Sequence, residues 1–251
     1  MKCLINSSNK REQMEKRKLT SFIDKYYLAG SANSVGLNVK DKTLSCEFIT
    51  DDQNVVGSVS MNDFEVEDGT LGVYTTSQLT KLLTALDENI DVKVNKADDA
   101  AFSINVADKT TNVTFMLADL SVIRQVPQMK GLPDFGVKIK LTKDFADKFI
   151  KSKNALPETE NFAVESNDSG TKMILNYSTL NTNRITWPIV PEKSETLNAT
   201  CFSANLFKEI LSANKDADEG YIEVSQAGLA RVSFTGKTYT STYYLVQLQA
   251  A

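Results

Sequence analysis

The sequence predicts an α+β fold in which two tandem units each carry two helices packed on antiparallel strands. The first observation is a repeat at about half the chain length. Residues 18–28 (KLTSFIDKYYL) resemble residues 140–150 (KLTKDFADKFI) at an offset of 123, and residues 78–94 resemble residues 205–224 at an offset of 127. Two matches in the same order and at nearly one offset are typical of tandem structural units. The other observations are four segments with helical periodicity and many short segments with strand periodicity.

Each of the four helical segments has apolar residues at helical spacing and polar residues on the opposite face. In the first segment, Leu19, Phe22 and Tyr26 share a face. Thr142 and Ser203 stand just before the apolar residues of the third and fourth segments, as helix N-caps do. The predicted helices are residues 10–28, 76–86, 142–153 and 203–215.

Most of the remaining segments alternate between apolar and polar residues or are rich in β-branched residues, as strands are. The breaks between them carry turn residues, for example in KDKT, SNDSG and TGKT. Short strands with such turns form antiparallel sheets, so we expect the helices to cover one face of those sheets. The predicted strands are residues 34–39, 43–50, 54–61, 90–95, 101–106, 111–117, 136–141, 161–166, 172–177, 221–225, 230–234 and 241–248.

The segment from Ala118 to Phe135 contains two prolines and one glycine and has no regular period. We interpret it as the connector between the two units. The first 13 residues form either a basic arm or a segment that precedes a start at Met14. The predicted domain plan is an N-terminal extension at 1–13, a first domain at 14–118, a connecting loop at 119–135 and a second domain at 136–251.

The composition excludes several kinds of site. The chain has 251 residues and no histidine, which rules out Ser-His-Asp and Cys-His catalytic sites and histidine-based zinc sites. The three cysteines, Cys3, Cys46 and Cys201, are scattered and odd in number, which is typical of reduced thiols in a cytoplasm. No apolar run approaches the roughly 18 residues of a membrane span, and the N-terminus has no signal-peptide core. We therefore predict a cytoplasmic protein without a cofactor, a bound metal or a membrane contact.

Charge is distributed unevenly between the predicted helices and the rest of the chain. The four helical segments hold 13 Lys or Arg and 6 Asp or Glu, a balance of +7, whereas the remainder has a balance of −11 and the whole chain −4. If the helices share a surface, that surface is basic and suits a phosphate backbone bound without sequence preference. The alternative interpretation is that each basic stripe is only a solvated helix face.

Two other functional classes have weaker support in the sequence. A structural β-rich assembly protein, such as a virion or tail component, accounts for the strands and the repeat but not for positive charge confined to helices. An enzyme could use the paired carboxylates Asp51–Asp52 or Asp87–Glu88, but adjacent side chains usually point apart. The GKT at residues 236–238 lacks the upstream glycine of a P-loop, so we interpret it as a hairpin turn. The sequence therefore predicts a binding protein and not an enzyme.

Two longer segments resemble those of DNA sliding clamps. Residues 114–141 are similar to the strand, interdomain connecting loop and next strand of the trimeric clamps, and residues 227–250 are similar to their C-terminal hairpin with its Tyr-Tyr-Leu ending. The resemblance extends over about residues 14–250. Among processivity factors of the proliferating-cell-nuclear-antigen type, the chain most resembles those of T-even-type bacteriophages. The resemblance implies the DNA-clamp fold in a ring of three chains, located in the host cytoplasm if the chain is viral.

The resemblance also implies partners and site residues. A clamp of this family encircles double-stranded DNA, tethers the DNA polymerase to raise its processivity, and is loaded by an ATPase clamp loader. The helices would line the hole, so that seven lysines face the DNA, namely Lys18, Lys25, Lys81, Lys148, Lys151, Lys208 and Lys215. Partners would dock in a pocket under the connecting loop, formed by Val55, Val56, Met129, Leu132, Pro133, Leu229, Tyr244 and Val246. Subunits would pair edge strands near 111–117 and near 173–180 of the next chain, through Thr111, Val113, Phe115, Met173, Leu175 and Tyr177.

Overall fold

The structure is a computed structural model that describes residues 14–98, 100–180 and 182–248. The predicted N-terminal extension and Cys3 lie outside the described residues. Within them, the predicted α+β fold is confirmed, with four α-helices packed on antiparallel sheets. No helix in this part of the chain has the length and apolar character that crossing a membrane requires.

Each helix overlaps its predicted segment, but Met14–Glu15 of the first segment form a strand and the third helix extends to Ala155. Local capping explains where three of the helices begin or end. The Thr142 hydroxyl accepts a hydrogen bond from Phe145 N–H (3.2 Å), and the Ser203 hydroxyl accepts one from Leu206 N–H (3.3 Å), as predicted for N-caps. The first helix ends before Leu28, whose φ of 45° is left-handed. The helices are α1 (Lys16–Tyr27), α2 (Thr76–Leu83), α3 (Lys143–Ala155) and α4 (Ala204–Ala213), with 3₁₀ turns at Leu28–Gly30 and Leu120–Val122.

The strands form three antiparallel sheets. They are β1 (Met14–Glu15), β2 (Val35–Lys40), β3 (Thr43–Ile49), β4 (Val55–Met61), β5 (Gly69–Val73), β6 (Asn89–Ala97), β7 (Ala100–Ala107), β8 (Asn112–Met116), β9 (Val137–Lys140), β10 (Asn161–Asn167), β11 (Gly170–Leu175), β12 (Ile185–Ile189), β13 (Lys193–Ser194), β14 (Leu197–Ser203), β15 (Glu219–Ser225), β16 (Leu229–Thr235) and β17 (Tyr239–Val246). The strand orders are β1-β6-β7-β8, β12-β11-β10-β14 and β13-β9-β15-β16-β17-β4-β3-β2-β5.

Five strands, β1, β5, β12, β13 and β14, have no counterpart among the predicted strands, and β1 lies inside the segment predicted as the first helix. β5 contains two glycines, and β12 contains Pro188. Glycine and proline are unfavourable inside a strand unless its neighbours or its edge position tolerate them, and a single sequence does not show those neighbours. The prediction therefore missed strands that form because of their pairing with neighbouring strands and not because of their own composition.

The strand orders of the two halves of the chain correspond to each other. The set β5-β2-β3-β4 corresponds to β14-β10-β11-β12, and the set β1-β6-β7-β8 corresponds to β9-β15-β16-β17. β17 pairs with β4, with Tyr239 opposite Met61 and Leu245 opposite Val55. We call this pairing the intrachain junction, because it joins two four-stranded sets into the largest sheet. The corresponding strands β8 and β12 are sheet edges among the described residues, and we call them the open edges.

The helices reveal the register of the repeat. α1 begins at residue 16 and α3 at residue 143, an offset of 127 and not the 123 of the sequence match. Phe22 therefore corresponds to Phe149 and not to Phe145. The side chains of Phe22 and Phe149 are both buried, at 2% and 0% exposure. The sequence match aligned α1 with α3 one helical turn out of register. Residues four apart lie on the same face of a helix, so the apolar pattern fits equally well at either offset.

The main hydrophobic core runs without a break through both halves. In the second half, the ring of Phe149 packs edge-to-face on that of Phe207, with centroids 4.8 Å apart. In the first half, Tyr26 of α1 contacts Phe48, whose ring packs on Tyr243 of β17 at 6.1 Å. The core therefore crosses the intrachain junction. Burial of each such side chain contributes about 1.5–3 kcal/mol.

Candidate nucleic-acid interface

The four helices form one row. α1 contacts both α2 and α4, and α4 also contacts α3, so their spatial order is α2, α1, α4, α3. Strands pack against α1 and α4 from the sheet side. This is the arrangement that a shared basic helix surface requires.

Six of the seven predicted DNA-facing lysines reach the helix surface. The exposed ones are Lys81, Lys148, Lys151 and Lys215, and the half-buried ones are Lys18 and Lys208. Lys208 has an acidic neighbour, because its Nζ lies 4.0 Å from Glu209 Oε1. Lys148 lies over an aromatic ring, with its Nζ 5.4 Å from the centroid of Trp187 on β12. The row of helices therefore presents cations from α1, α2 and α3 and from the residues at and after α4.

Lys25 differs from this expectation, because its side chain is only 1% exposed. Its ammonium donates to Ser21 Oγ at 2.7 Å and to Asp216 Oδ1 at 3.1 Å, and lies 3.9 Å from the centroid of the Tyr239 ring. Asp216 and Tyr239 belong to the second half of the chain, so Lys25 joins the two halves across the intrachain junction. Its predicted exposure to DNA is contradicted within the single chain, because tertiary contacts enclose a position that sequence spacing places on a polar stripe.

The surroundings of Lys25 shift the pKa values of all three groups. Burial lowers the pKa of Lys25, and the charge of Asp216 only partly opposes this. Burial pushes the pKa of Asp216 upward, but Lys25 and the Tyr239 hydroxyl, which donates to Asp216 at 2.9 Å, together hold it below its usual value. Burial and the adjacent Asp216 carboxylate raise the pKa of Tyr239. These shifts favour an ionised Asp216 carboxylate and a neutral Tyr239 phenol beside Lys25.

Two exposed cations at helix N-termini escaped the sequence prediction. Arg17 on α1 has a side chain that is 79% exposed, and its Nε donates to Glu15 at 2.6 Å. Lys143, the first residue of α3, is also exposed. The prediction selected lysines that lie opposite the apolar face of each predicted helix, and it included neither Arg17 nor Lys143. Their positions in the first turn of basic helices are the signal that would have found them.

The predicted partner pocket is only partly assembled by the sheet. Tyr244 of β17 lies opposite Val56 of β4 on one side and Arg231 on the other, and Val246 lies opposite Leu229. These residues share the outer face, and Val246 is 47% exposed. We call Val56, Leu229, Tyr244 and Val246 the outer patch.

Val55 is 0% exposed and faces the core, so its predicted place in the pocket wall is wrong. Successive strand residues point to opposite faces, and Val56 is the one that points outward. Of the connector residues, Met129 and Leu132 are 44% and 43% exposed and Pro133 is half-buried. The connector ends beside the outer patch, since the ring of Phe135 lies 4.7 Å from the guanidinium of Arg231.

The open edges revise the predicted subunit contact. Thr111, Val113 and Phe115 lie in or next to β8, which is an edge strand among the described residues. Met173 and Leu175 lie in β11, which already pairs with β10 on one side and β12 on the other. A strand with both sides paired cannot accept another strand, so the predicted edge pairing of Met173 and Leu175 is wrong. Tyr177 lies beyond β11, with its N–H bonded to Asn161 Oδ1 at 2.8 Å.

The edge strand of the sheet that contains β11 is β12, which includes Pro188. The repeat was the signal that could have identified it. In the first half Cys46 lies opposite Val59 of β4, and in the second half Met173 lies opposite Trp187 of β12. β4 and β12 thus correspond at an offset of 128, which is close to the 127 already present in the sequence.

The paired carboxylates lie in turns. Asp52 accepts hydrogen bonds from the Thr50 hydroxyl at 2.6 Å and from the Asn54 amide at 2.8 Å. Burial acts to raise the pKa of Asp52, but these bonds outweigh it and lower the pKa below its usual value. The N–H of Asp87 donates to Asp108 Oδ2 at 2.7 Å. No group of three or more His, Cys, Asp or Glu side chains that could hold a metal ion occurs among the residues that the structure describes.

The amino-acid sequence matches no protein-family model and no curated protein sequence. The fold, in contrast, is similar to solved structures. A chain in the structure described as the C-terminal region of FEN-1 bound to A. fulgidus PCNA has a TM-score of 0.76 and 15% identity, with 95% of this chain and 98% of that chain covered. Proliferating cellular nuclear antigen from Entamoeba histolytica has a TM-score of 0.68 and 17% identity, with 93% and 94% covered. At full coverage of both chains, this protein has the PCNA-type sliding-clamp fold.

Proposed function

We propose that this protein is a sliding clamp that encircles duplex DNA and tethers a DNA polymerase. The observation that carries the proposal is the pair of open edges. β8 corresponds to β17 and β12 corresponds to β4, and β17 and β4 pair within the chain. Each chain therefore has two unpaired edge strands, and β8 of one chain can pair with β12 of another in the same way. Such head-to-tail contacts form a ring if the rotation closes. The number of three chains comes from the resemblance of the sequence to trimeric clamps, and the fold is compatible with it because it is of the PCNA type.

The helix row would contact the DNA. Lys81, Lys151 and Lys215 are exposed on it, whereas the rest of the chain is acidic. Lysine contacts to phosphates carry no sequence information and weaken as salt rises, which suits a protein that must slide. Retention on DNA would depend on the closed ring and not on the strength of these contacts. No step in this function requires the clamp to catalyse a reaction.

The outer patch, with Met129, Leu132 and Pro133 of the connector, would receive partner proteins. In the A. fulgidus structure, PCNA is bound to the C-terminal region of FEN-1, and we extend partner binding of this kind to the present chain. A polymerase held there would act at a high local concentration along the DNA. Loading would need a separate ATPase, because this sequence has no P-loop. The origin from a bacteriophage and the cytoplasmic location stay predictions from the resemblance.

Light scattering of the purified chain at micromolar concentration tests the ring. We expect a species of about three times the chain mass. A monomer or a dimer at that concentration would contradict the proposal and favour the alternative of a structural assembly protein.

Binding of short duplex DNA, followed by fluorescence anisotropy at several salt concentrations, tests the helix surface. The variant K81E/K215E should bind at least several-fold more weakly, and the slope of log K against log salt should decrease by about two. The matched control is K40E/K93E, which reverses two exposed lysines on strands β2 and β6. Equal effects of the two variants would contradict a helix-specific contact.

A further inference from the structure

We propose that Lys148 of one chain forms an ion pair with the Asp87–Glu88 loop of the neighbouring chain and so helps to close the ring. The inference rests on the proposed function, since it requires a second copy of the chain at the open edges. It assigns Lys148 to the junction between chains and not to the DNA. The intrachain junction provides the template.

In the intrachain junction, one face of α1 meets the loop between α4 and β15. Ser21 Oγ lies 3.3 Å from Asp216 Oδ2, and Lys25 donates both to Ser21 and to Asp216. Ser21 and Lys25 are four residues apart, so they lie on the same face of α1. A lysine–serine pair on the first helix of the unit thus faces a carboxylate on the loop after the second helix of the other unit.

α3 carries the same two residue types in the opposite order. At the offset of 127 between α1 and α3, Lys148 takes the place of Ser21, and Ser152 takes the place of Lys25. Ser152 is 9% exposed, and Lys148 is exposed in the single chain. Lys148 is held near the open edge by Trp187 of β12, whose ring centroid is 5.4 Å from its Nζ. Lys148 forms no ion pair with any residue that the structure describes.

The other open edge carries the matching carboxylates. The loop between α2 and β6 spans residues 84–88, and the corresponding loop between α4 and β15 spans residues 214–218, so both have five residues. The second of these loops contains Asp216, and the first contains Asp87 and Glu88, which are both exposed. Neither carboxylate forms an ion pair within the described part of the chain.

A hydrogen bond positions the Asp87–Glu88 loop beside the edge strand. The N–H of Asp87 donates to Asp108, which lies in the turn that leads into β8. Hydrogen bonds from the backbone N–H groups of Asp87, Thr110 and Thr111 lower the pKa of Asp108 to about 2, so it remains ionised. The loop therefore presents a fixed negative region at the start of β8.

The strand register brings these groups together. The turn before β8, in which Asp108 N–H donates to Thr111 O, matches the turn before β17, in which Gly236 N–H donates to Tyr239 O, at an offset of 128. Thr111 therefore takes the place of Tyr239, whose ring contacts Lys25. When the intrachain register is transferred to the open edges, β8 of one chain lies along β12 of the next. The acidic loop then faces the side of α3 that carries Lys148.

Dilution of the purified ring, followed by analytical ultracentrifugation in the absence of DNA, tests the pair. We expect K148E to raise the concentration at which the ring dissociates by about tenfold or more, and D87K/E88K to do the same. The combination of all three changes should return this concentration to within about threefold of the wild type. The matched control is K151E, which reverses an exposed lysine on the same helix and should have little effect.

Several outcomes would overturn the pair. One is a K148E ring that dissociates like the wild type, and another is a K148E effect that K151E reproduces. A third is a triple variant whose dissociation concentration does not return towards that of the wild type, provided that each variant has the circular dichroism spectrum of the wild type. The conservative variant K148Q, expected to lie between the wild type and K148E, guards against misfolding of the charge reversals. A wild-type chain that stays monomeric at micromolar concentration would remove the ring itself, whereas a trimer that ignores Lys148 would remove only the ion pair.

Discussion

The intrachain junction and the open edges use corresponding strands but differ in how they are sealed. At the junction, β17 and β4 pair over seven residue positions, from Tyr239–Met61 to Leu245–Val55. At the open edges, β8 and β12 have five residues each, and β12 includes Pro188, which lacks an N–H. The intrachain junction therefore has a longer ladder of paired residues than β8 and β12 could form between two chains. We expect a ring to open between chains and not within a chain.

A buried polar network adds to the difference. The Tyr243 hydroxyl donates to Lys25 O at 3.0 Å, and Asn214 Nδ2 donates to the Tyr243 hydroxyl at 2.8 Å. The Ser241 hydroxyl in turn donates to Asn214 Oδ1 at 2.7 Å. These bonds connect α1 to α4 and β17 inside the core. Buried networks that are fully satisfied rigidify their surroundings, so the junction holds the two halves in one arrangement.

The largest expected effect follows from breaking the intrachain junction by overpacking. A Cβ atom at Gly57 of β4 would clash with the Phe48 ring and lie 3.2 Å from Thr242 O on β17. We expect Gly57→Val to lower the free energy of unfolding by about 3 kcal/mol, measured by urea denaturation. The control is Gly36→Val in β2, where nothing lies within 4 Å of the added Cβ. A Gly36 variant as unstable as the Gly57 variant would show that strand glycines, and not the junction, determine the loss.

The second prediction separates the two members of the buried ion pair. Asp216→Ala leaves the Lys25 ammonium buried without its carboxylate, and we expect a loss of about 1–2 kcal/mol, reduced because Asp216 is half-exposed. Lys25→Met removes the buried charge and keeps the length of the side chain, so the free energy of unfolding should change by less than about 1 kcal/mol. Equal losses in the two variants would mean that the pair itself stabilises the junction.

The third prediction concerns the open edge at β12. Proline in a sheet usually places its missing N–H on the unpaired side of an edge strand. Pro188→Thr should therefore add one hydrogen bond between chains and lower the dissociation concentration of the ring by about twofold to tenfold. The free energy of unfolding of the monomer should not change. A ring that is no tighter in this variant would argue that Pro188 does not limit the junction between chains.

The smallest expected effect is on the pH dependence of stability. The pKa of Asp216 is lower in the folded chain than its usual value, so its contribution to stability is present above that usual value and is lost as the pH falls below it. Urea midpoints of the wild type and of Asp216→Asn should therefore converge as the pH falls from 6 to 3. Parallel curves over this range would mean that ionised Asp216 does not stabilise the junction.

The sequence predicted the fold class through patterns that depend on local chemistry. Helical spacing and the caps Thr142 and Ser203 placed the helices, and alternation placed most of the strands, because these signals are carried by neighbouring residues. The repeat was visible, but its register in the first helix was wrong by one turn, since Phe145 and Phe149 lie on the same face. The domain boundaries stay predictions.

Tertiary structure decided the features that depend on which elements meet. Lys25 appears on a polar stripe in the sequence, yet the loop containing Asp216 encloses it, and no local pattern reports a contact 191 residues away. The edge strand β12 was hidden by Pro188, because proline is acceptable there only at a sheet edge. The sequence by itself thus determined the periodicities, the N-caps of the third and fourth helices and the confinement of positive charge to helices. Only the packed structure decided which lysines are free and which strands remain open, because both depend on contacts between residues far apart in the chain.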